Sequence, residues 1–240
     1  MKYSYCFYIL FFALLTSCNN KKIDTNQYYE KYETGSIPGL NDFMTYTKEE
    51  EQMDSIQTSY QLQIDSLRNQ DSLLRAGWHR EFSSFNNNRS RVYLQSFTNN
   101  IPDSNDFNRH GSLPMQCNAG MEKDTLIINT GVGFFGGLGF IIKIYKDRYW
   151  AYYFEYTDDV KPYKLHLTDS AGASEVIVPC KYQYLVLDKK PDFKPGQKLT
   201  GFLTLTTQPY YHLAFGENFD SSYLTGKIYF TCVTKQTAHE

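Results

Sequence analysis

From Thr125 onward, apolar and polar residues alternate in short runs separated by turn formers, a period of two that fits strands with one face buried. The runs are Thr125–Thr130, Leu138–Tyr145, Tyr149–Tyr156, Tyr163–Thr168, Glu175–Val178, Tyr182–Leu187, Leu199–Thr206, Tyr210–Phe215 and Leu224–Val233. Between them stand Lys146-Asp147, Asp158-Asp159, Pro195-Gly196 and the stretch from Gly216 to Ser222. No helical period intervenes, so the spacing predicts a mainly β domain: an antiparallel β-sandwich or barrel of about nine strands. Two runs open alike, Leu199-Thr200-Gly201 and Leu224-Thr225-Gly226. They are expected to pair, with a bulge or a close approach at each glycine.

Upstream the period changes. Thr47-Lys48-Glu49-Glu50 has the form of a capping box, and Met53, Ile56, Tyr60, Ile64, Leu67 and Leu74 follow at helical steps before Gly77. A long amphipathic helix over 47–77 is expected to precede the β domain, which takes in 78–240. The start of that domain is polar, with one expected strand at Arg91–Leu94 and a loop from Thr98 to Asp124. Residues 18–46 show no sustained period and read as a tether.

The first seventeen residues carry one positive charge, Lys2, then an apolar run from Tyr5 to Leu15. Eleven residues at about 1.5 Å each cover only half of a hydrocarbon core of roughly 30 Å, so the run reads as a secretory signal and not a spanning helix. It ends Leu15-Thr16-Ser17-Cys18, followed by polar Asn19 to Lys22. That boundary resembles the lipobox of bacterial lipoproteins. The resemblance implies that residues 1–17 are removed, and that Cys18 becomes an acylated N-terminus whose two or three chains give stable anchoring. It places the protein in the bacterial cell envelope, at the periplasmic or cell-surface face of a membrane.

Composition narrows the partners. A formal net charge of −2 leaves no basic field for nucleic acid. Aromatics are 17% of the chain, with 21 Tyr and 17 Phe, which suits both packed sheets and sugar-stacking surfaces. In the strand Tyr149–Tyr156 the period of two sets Trp150, Tyr152, Phe154 and Tyr156 on one face, with Tyr149 and Tyr153 on the other. Two apolar faces indicate a central strand covered on both sides, and core packing is favoured over a saccharide platform. Tyr210 and Tyr211, beside His212, are a second place for such a platform. Of the cysteines that remain, Cys180 and Cys232 lie in or beside expected strands and are the candidate disulfide, with three free thiols as the alternative.

Gly131-Val132-Gly133-Phe134-Phe135-Gly136 satisfies G-x-G-x-x-G, but the pyrophosphate chemistry of that fingerprint needs a helix N-terminus next, and Gly137–Ile144 reads as strand. A glycine-rich arch is expected instead, with Phe134 and Phe135 plugging the core or projecting as an interaction knuckle. The five histidines show no metal spacing, and G-x-S-x-G is absent. The expectation is a membrane-anchored binding module for a protein or glycan partner, with no catalytic group, cofactor or metal. A carbohydrate-binding lipoprotein of a glycan uptake system, an envelope hydrolase of unfamiliar type and an immunity protein against an envelope toxin are the other readings.

Overall fold

The computed structural model describes residues 30–45, 52, 55, 88–103, 112–133, 136–158, 160–213 and 218–235. They form thirteen strands and one five-residue helix: β1 Glu30–Lys31, β2 Glu33–Thr34, α1 Leu40–Met44, β3 Arg89–Thr98, β4 Ile101–Pro102, β5 Leu113–Glu122, β6 Thr125–Gly133, β7 Gly136–Tyr145, β8 Arg148–Thr157, β9 Tyr163–Lys164, β10 Glu175–Leu187, β11 Lys198–Thr207, β12 Tyr210–Leu213 and β13 Phe219–Lys235. The expected helix over 47–77 lies outside the described residues except for Gln52 and Ser55, which are helical.

Eight long strands, β3, β5, β6, β7, β8, β10, β11 and β13, pair in chain order, each antiparallel to the next. The last then pairs with the first, Ser222–Thr231 against Thr98–Arg89. Of the two expected architectures this is the barrel, with more strands than the nine expected because short ones decorate it. Two-residue turns with a positive φ join β3 to β4 at Asn99 and Asn100, β5 to β6 at Lys123, and β7 to β8 at Lys146.

Alternation sends one set of side chains inward. Leu126 and Ile128, Phe140, Ile142 and Ile144, Tyr149, Ala151 and Tyr153, and Leu203 and Leu205 are all buried in a single core. The paired glycines behave as expected. Gly201 faces Phe230, whose ring fills the space a Cβ would take, and Gly226 faces Leu205 and admits Leu94.

Three sequence expectations are corrected. Glu175–Val178 and Tyr182–Leu187 are one strand, β10, bent where the register shifts between Cys180 and Tyr182. Pro179 has no N–H to give, and β10 pairs with β8 only as far as Pro179. The loop expected over Thr98–Asp124 contains β5, whose Met115, Cys117 and Ala119 point inward. The tether expected over 18–46 is partly built into the domain. Below Pro179 the gap between β8 and β10 is filled by β1, antiparallel to β8, and β2, parallel to β10. The Gln183 side chain accepts the Ala151 N–H at 2.8 Å, satisfying a group that the parted ladder leaves open.

The chain then crosses the outside of the barrel. Ile37 packs with Val186 and Phe202, and α1 is clamped by two arginines from β3. Arg89 Nη2 donates to the Phe43 carbonyl at 3.1 Å, while Arg91 donates to the Asp42 and Thr45 carbonyls at 2.9 Å each. Both guanidinium groups lie over the Phe43 ring, at 5.0 and 5.9 Å. Cations on the last carbonyls of a helix satisfy its orphan acceptors and its dipole together.

The candidate disulfide is also corrected. Cys232 bonds Cys117, with 5.6 Å between Cα atoms and a sequence separation of 115, and Cys180 is free. Barrel closure decides this pairing. Asn88 bridges β5 and β13, its carbonyl taking the Cys117 N–H and its side-chain oxygen the Val233 N–H, which sets the two cysteines face to face. Cys117→Ser should lower the free energy of unfolding by about 2–5 kcal/mol in urea titrations, given the long loop it closes, while Cys180→Ser should cost under about 1 kcal/mol. Burial pushes the Cys180 thiol up to about 12. It should therefore alkylate far more slowly at neutral pH than a free thiol, and quickly once the protein is unfolded.

Candidate functional site

A concavity among the described residues is an outer groove of about 570 Å³, bounded by α1 on one side and by the wall β11–β13–β3 on the other. Gly39 makes it possible to start α1 here. Its φ of 69° is left-handed, and a Cβ there would come within 2.9 Å of the Tyr229 hydroxyl. Tyr229 is the aromatic hub of the groove. It stacks on Phe43 at 5.7 Å and 23°, touches Phe202 at 4.7 Å and meets Tyr93 edge-on at 6.3 Å and 80°. Gln95, Thr204, Thr225 and Lys227 supply polar groups, and at Gly226 the floor thins so that Leu94 and Leu205 of the core line it too. Burial, then Tyr93 and Asp42 beside it, hold the Tyr229 phenol above its ordinary pKa. At neutral pH it is a protonated donor. The combination of aromatic rings, amide, hydroxyls and one ammonium group suits reversible binding of a polar ligand with apolar faces.

At the loop end of the barrel a second cluster closes the interior. Glu155 Oε2 accepts from the Tyr153 hydroxyl at 2.8 Å and the Tyr210 hydroxyl at 3.1 Å, and Tyr163 lies beside the same carboxylate. Tyr163 and Tyr210 belong to β9 and β12, so one carboxylate ties this small flap to β8. Tyr210, expected as an interaction residue, is 5% exposed and is corrected to a core residue; its neighbour Tyr211 is half-buried on the opposite side of the strand.

His212 Nδ1 and Ser222 Oγ lie 2.8 Å apart. Ser222 is 4% exposed and also contacts Thr98 Oγ1 at 3.4 Å, which in turn donates to Asp103 at 3.3 Å. The order is imidazole, serine, threonine, carboxylate, so the acid does not orient the imidazole as nucleophilic triads require. His166 lies in the turn after β9, outside the flap's ladder, whereas His212 is paired within it opposite Tyr163 and Asp220. Among the described residues no three His, Cys, Asp or Glu side chains converge. Cys18, Phe134 and Phe135 lie outside the described residues.

The strand expected to be covered on both sides is covered on one. Tyr149 and Tyr153 are buried, while Trp150, Tyr152, Phe154 and Tyr156 are half-buried on the outer wall. Sequence reasoning assigned the two faces but not the groove, whose residues come from four separated segments and carry no common motif.

No protein-family model matches the chain, and a search of curated proteins finds none similar to it. Its architecture is that of an eight-stranded antiparallel barrel with an external N-terminal clamp.

Burial is the main cause that raises the phenols of Tyr149, Tyr153, Tyr163 and Tyr210, with Glu30 adding at Tyr149, Tyr210 at Tyr153, and Glu155 at Tyr163 and Tyr210. A raised folded-state pKa means that the unfolded chain loses these protons first, near pH 10. Stability should be unaffected by these groups below about pH 10 and should fall above it, approaching about 1.4 kcal/mol per pH unit for each of the most buried phenols, Tyr153 and Tyr210. Urea midpoints across that range, with tyrosinate absorbance followed in parallel, check this. Ionisation of all tyrosines before unfolding would contradict it.

Proposed function

We propose that the chain is a lipid-anchored binding module of the bacterial cell envelope, non-catalytic, with its ligand held in the groove between α1 and the β11–β13–β3 wall. The observation that carries the binding reading is the groove itself: a concavity of about 570 Å³ with an aromatic hub and convergent polar groups. Support for anchoring comes from the sequence Leu15-Thr16-Ser17-Cys18 after a short apolar run. Among the described residues no helix is long and apolar enough to cross a membrane. Because β1 begins at Glu30, the chain from Cys18 to the barrel spans at most about 40 Å when extended. The barrel is therefore held close to the bilayer, on a leash shorter than the one expected from sequence.

Anchoring and binding are tested separately. Cys18→Ala should move the protein from the membrane fraction to the soluble fraction; retention in membranes would remove the anchor from the account. A photoreactive side chain at Lys227 should cross-link a ligand in intact cells, whereas one at exposed Lys190, outside the groove, should not. Tyr229→Ala should cut the Lys227 adduct about tenfold, equivalent to about 1.4 kcal/mol. No adduct from a folded, anchored protein would sink the groove reading.

A further inference from the structure

We propose a saccharide-stacking platform on the outer wall of the barrel, formed by Phe154 and Tyr156 on a floor of glycine. It is separate from the groove and does not depend on it.

The glycine-rich hairpin of β6 and β7 supplies the floor. Pairing across three strands aligns Gly131 with Gly139 and Phe154, and one step further along aligns Gly133 with Gly137 and Tyr156. Residues directly opposite in antiparallel strands share a face. Every outward position of β6 and β7 beside these two rings is therefore glycine. Phe154 uses the space. Its Cζ lies 2.6 Å from where a Gly139 Cβ would stand and 3.1 Å from where a Gly131 Cβ would stand, two strands away. The ring is thus laid along the sheet, with one face on backbone. Tyr156 follows at 6.5 Å between centroids, with 20° between planes. Both rings are half-buried, so each keeps part of its surface in solvent.

Two nearly parallel rings, Phe154 resting on the glycine floor and Tyr156 next to it, offer the apolar surface on which the C–H face of a sugar ring stacks, at little cost in side-chain entropy. Hydroxyl groups need partners at the margin. Glu175 stands directly across from Tyr156 on β10, and Asn129 lies two residues before Gly131 on the same face; both are exposed. Ile177, 45% exposed and opposite Phe154, extends the apolar surface.

Position and charge favour a glycan over lipid. The N-terminal chain joins β8 at Tyr149, and Tyr156 lies seven residues further along the strand, roughly 23 Å away. A lipid-docking face is expected around the point where the chain returns to its anchor. Lys143 and Glu175 on this wall have opposite charge, which gives anionic headgroups no net attraction.

The test is native gel electrophoresis of the full-length protein in detergent, with soluble xylan, hydroxyethyl cellulose, pullulan or glycol chitin cast into the gel. Retardation by at least one polysaccharide is expected. Tyr156→Ala should weaken it about tenfold and Glu175→Ala several-fold, with unchanged unfolding midpoints, and Tyr211→Ala should leave it intact. Glu175 is exposed, so its variant reports on binding even if Tyr156→Ala fails to fold. The proposal is overturned by no retardation in any of the four gels. It is equally overturned by retardation that survives both platform substitutions, or by platform variants that change only binding to vesicles or to a protein partner. Because the readout is independent of acylation, failure here leaves the anchor and groove readings untouched.

Discussion

A sheet this long has two edges to dispose of, and the ladder of Arg89–Thr98 against Ser222–Thr231 removes both at once. With that pairing made, every inward side chain of the eight long strands meets others across one closed interior, and no continuous row of unpaired backbone is left at β3 or β13. The Cys117–Cys232 bond fastens β5 to β13 just past the start of β3, where Asn88 and the parallel pairing of Thr234 and Lys235 with Ala119 and Gly120 join the two strands. Burial then fixes which way each strand faces, because a slip of one residue would turn Ile142 and Phe140 out to water.

Closure is imperfect at one place, and the surface chemistry follows from it. Pro179 ends the β8–β10 ladder early, so the barrel takes in Glu30–Thr34 as filler. That draws the following residues across the outer wall, where Arg89 and Arg91 hold α1 by its carbonyls. Without the clamp there would be no second wall to the groove. The groove is thus a product of the seam on the far side of the same N-terminal segment.

Most strands after Thr125 were legible because their alternation is strong and their turns carry the right residues, but Tyr163–Thr168 shortens to Tyr163–Lys164, the chain turning where Asp169 caps His166. β5 was not, since Pro114, Asn118 and Gly120 weaken its propensity, although Met115, Cys117 and Ala119 keep the period of two. β1, β2 and α1 are too short to leave a periodic trace, and they exist only because tertiary partners complete them. The cysteine pairing depends on which strands become neighbours when the barrel closes, which local pattern does not encode. The glycine cluster was visible as an anomaly, yet its role needs the register of three strands, through which Phe154 reaches Gly131. Tyr210 looked like a surface aromatic, and became interior because the β9–β12 flap folds it over Glu155.

Because the opening long strand zips to the closing one, no shortened chain can make the ring. Each hairpin between β5 and β8 is local and quick to form, but β3 keeps an unsatisfied edge until β13 has been made, and Glu30–Thr34 finds its slot only after β10 is in place. Completion thus waits on the most distant contacts in the molecule. During synthesis the apolar faces of the early strands stay uncovered, and holding such a chain open until its end arrives is the work of a chaperone. A topology that finishes last would suit the export proposed above, in which the chain is threaded across a membrane before it becomes compact.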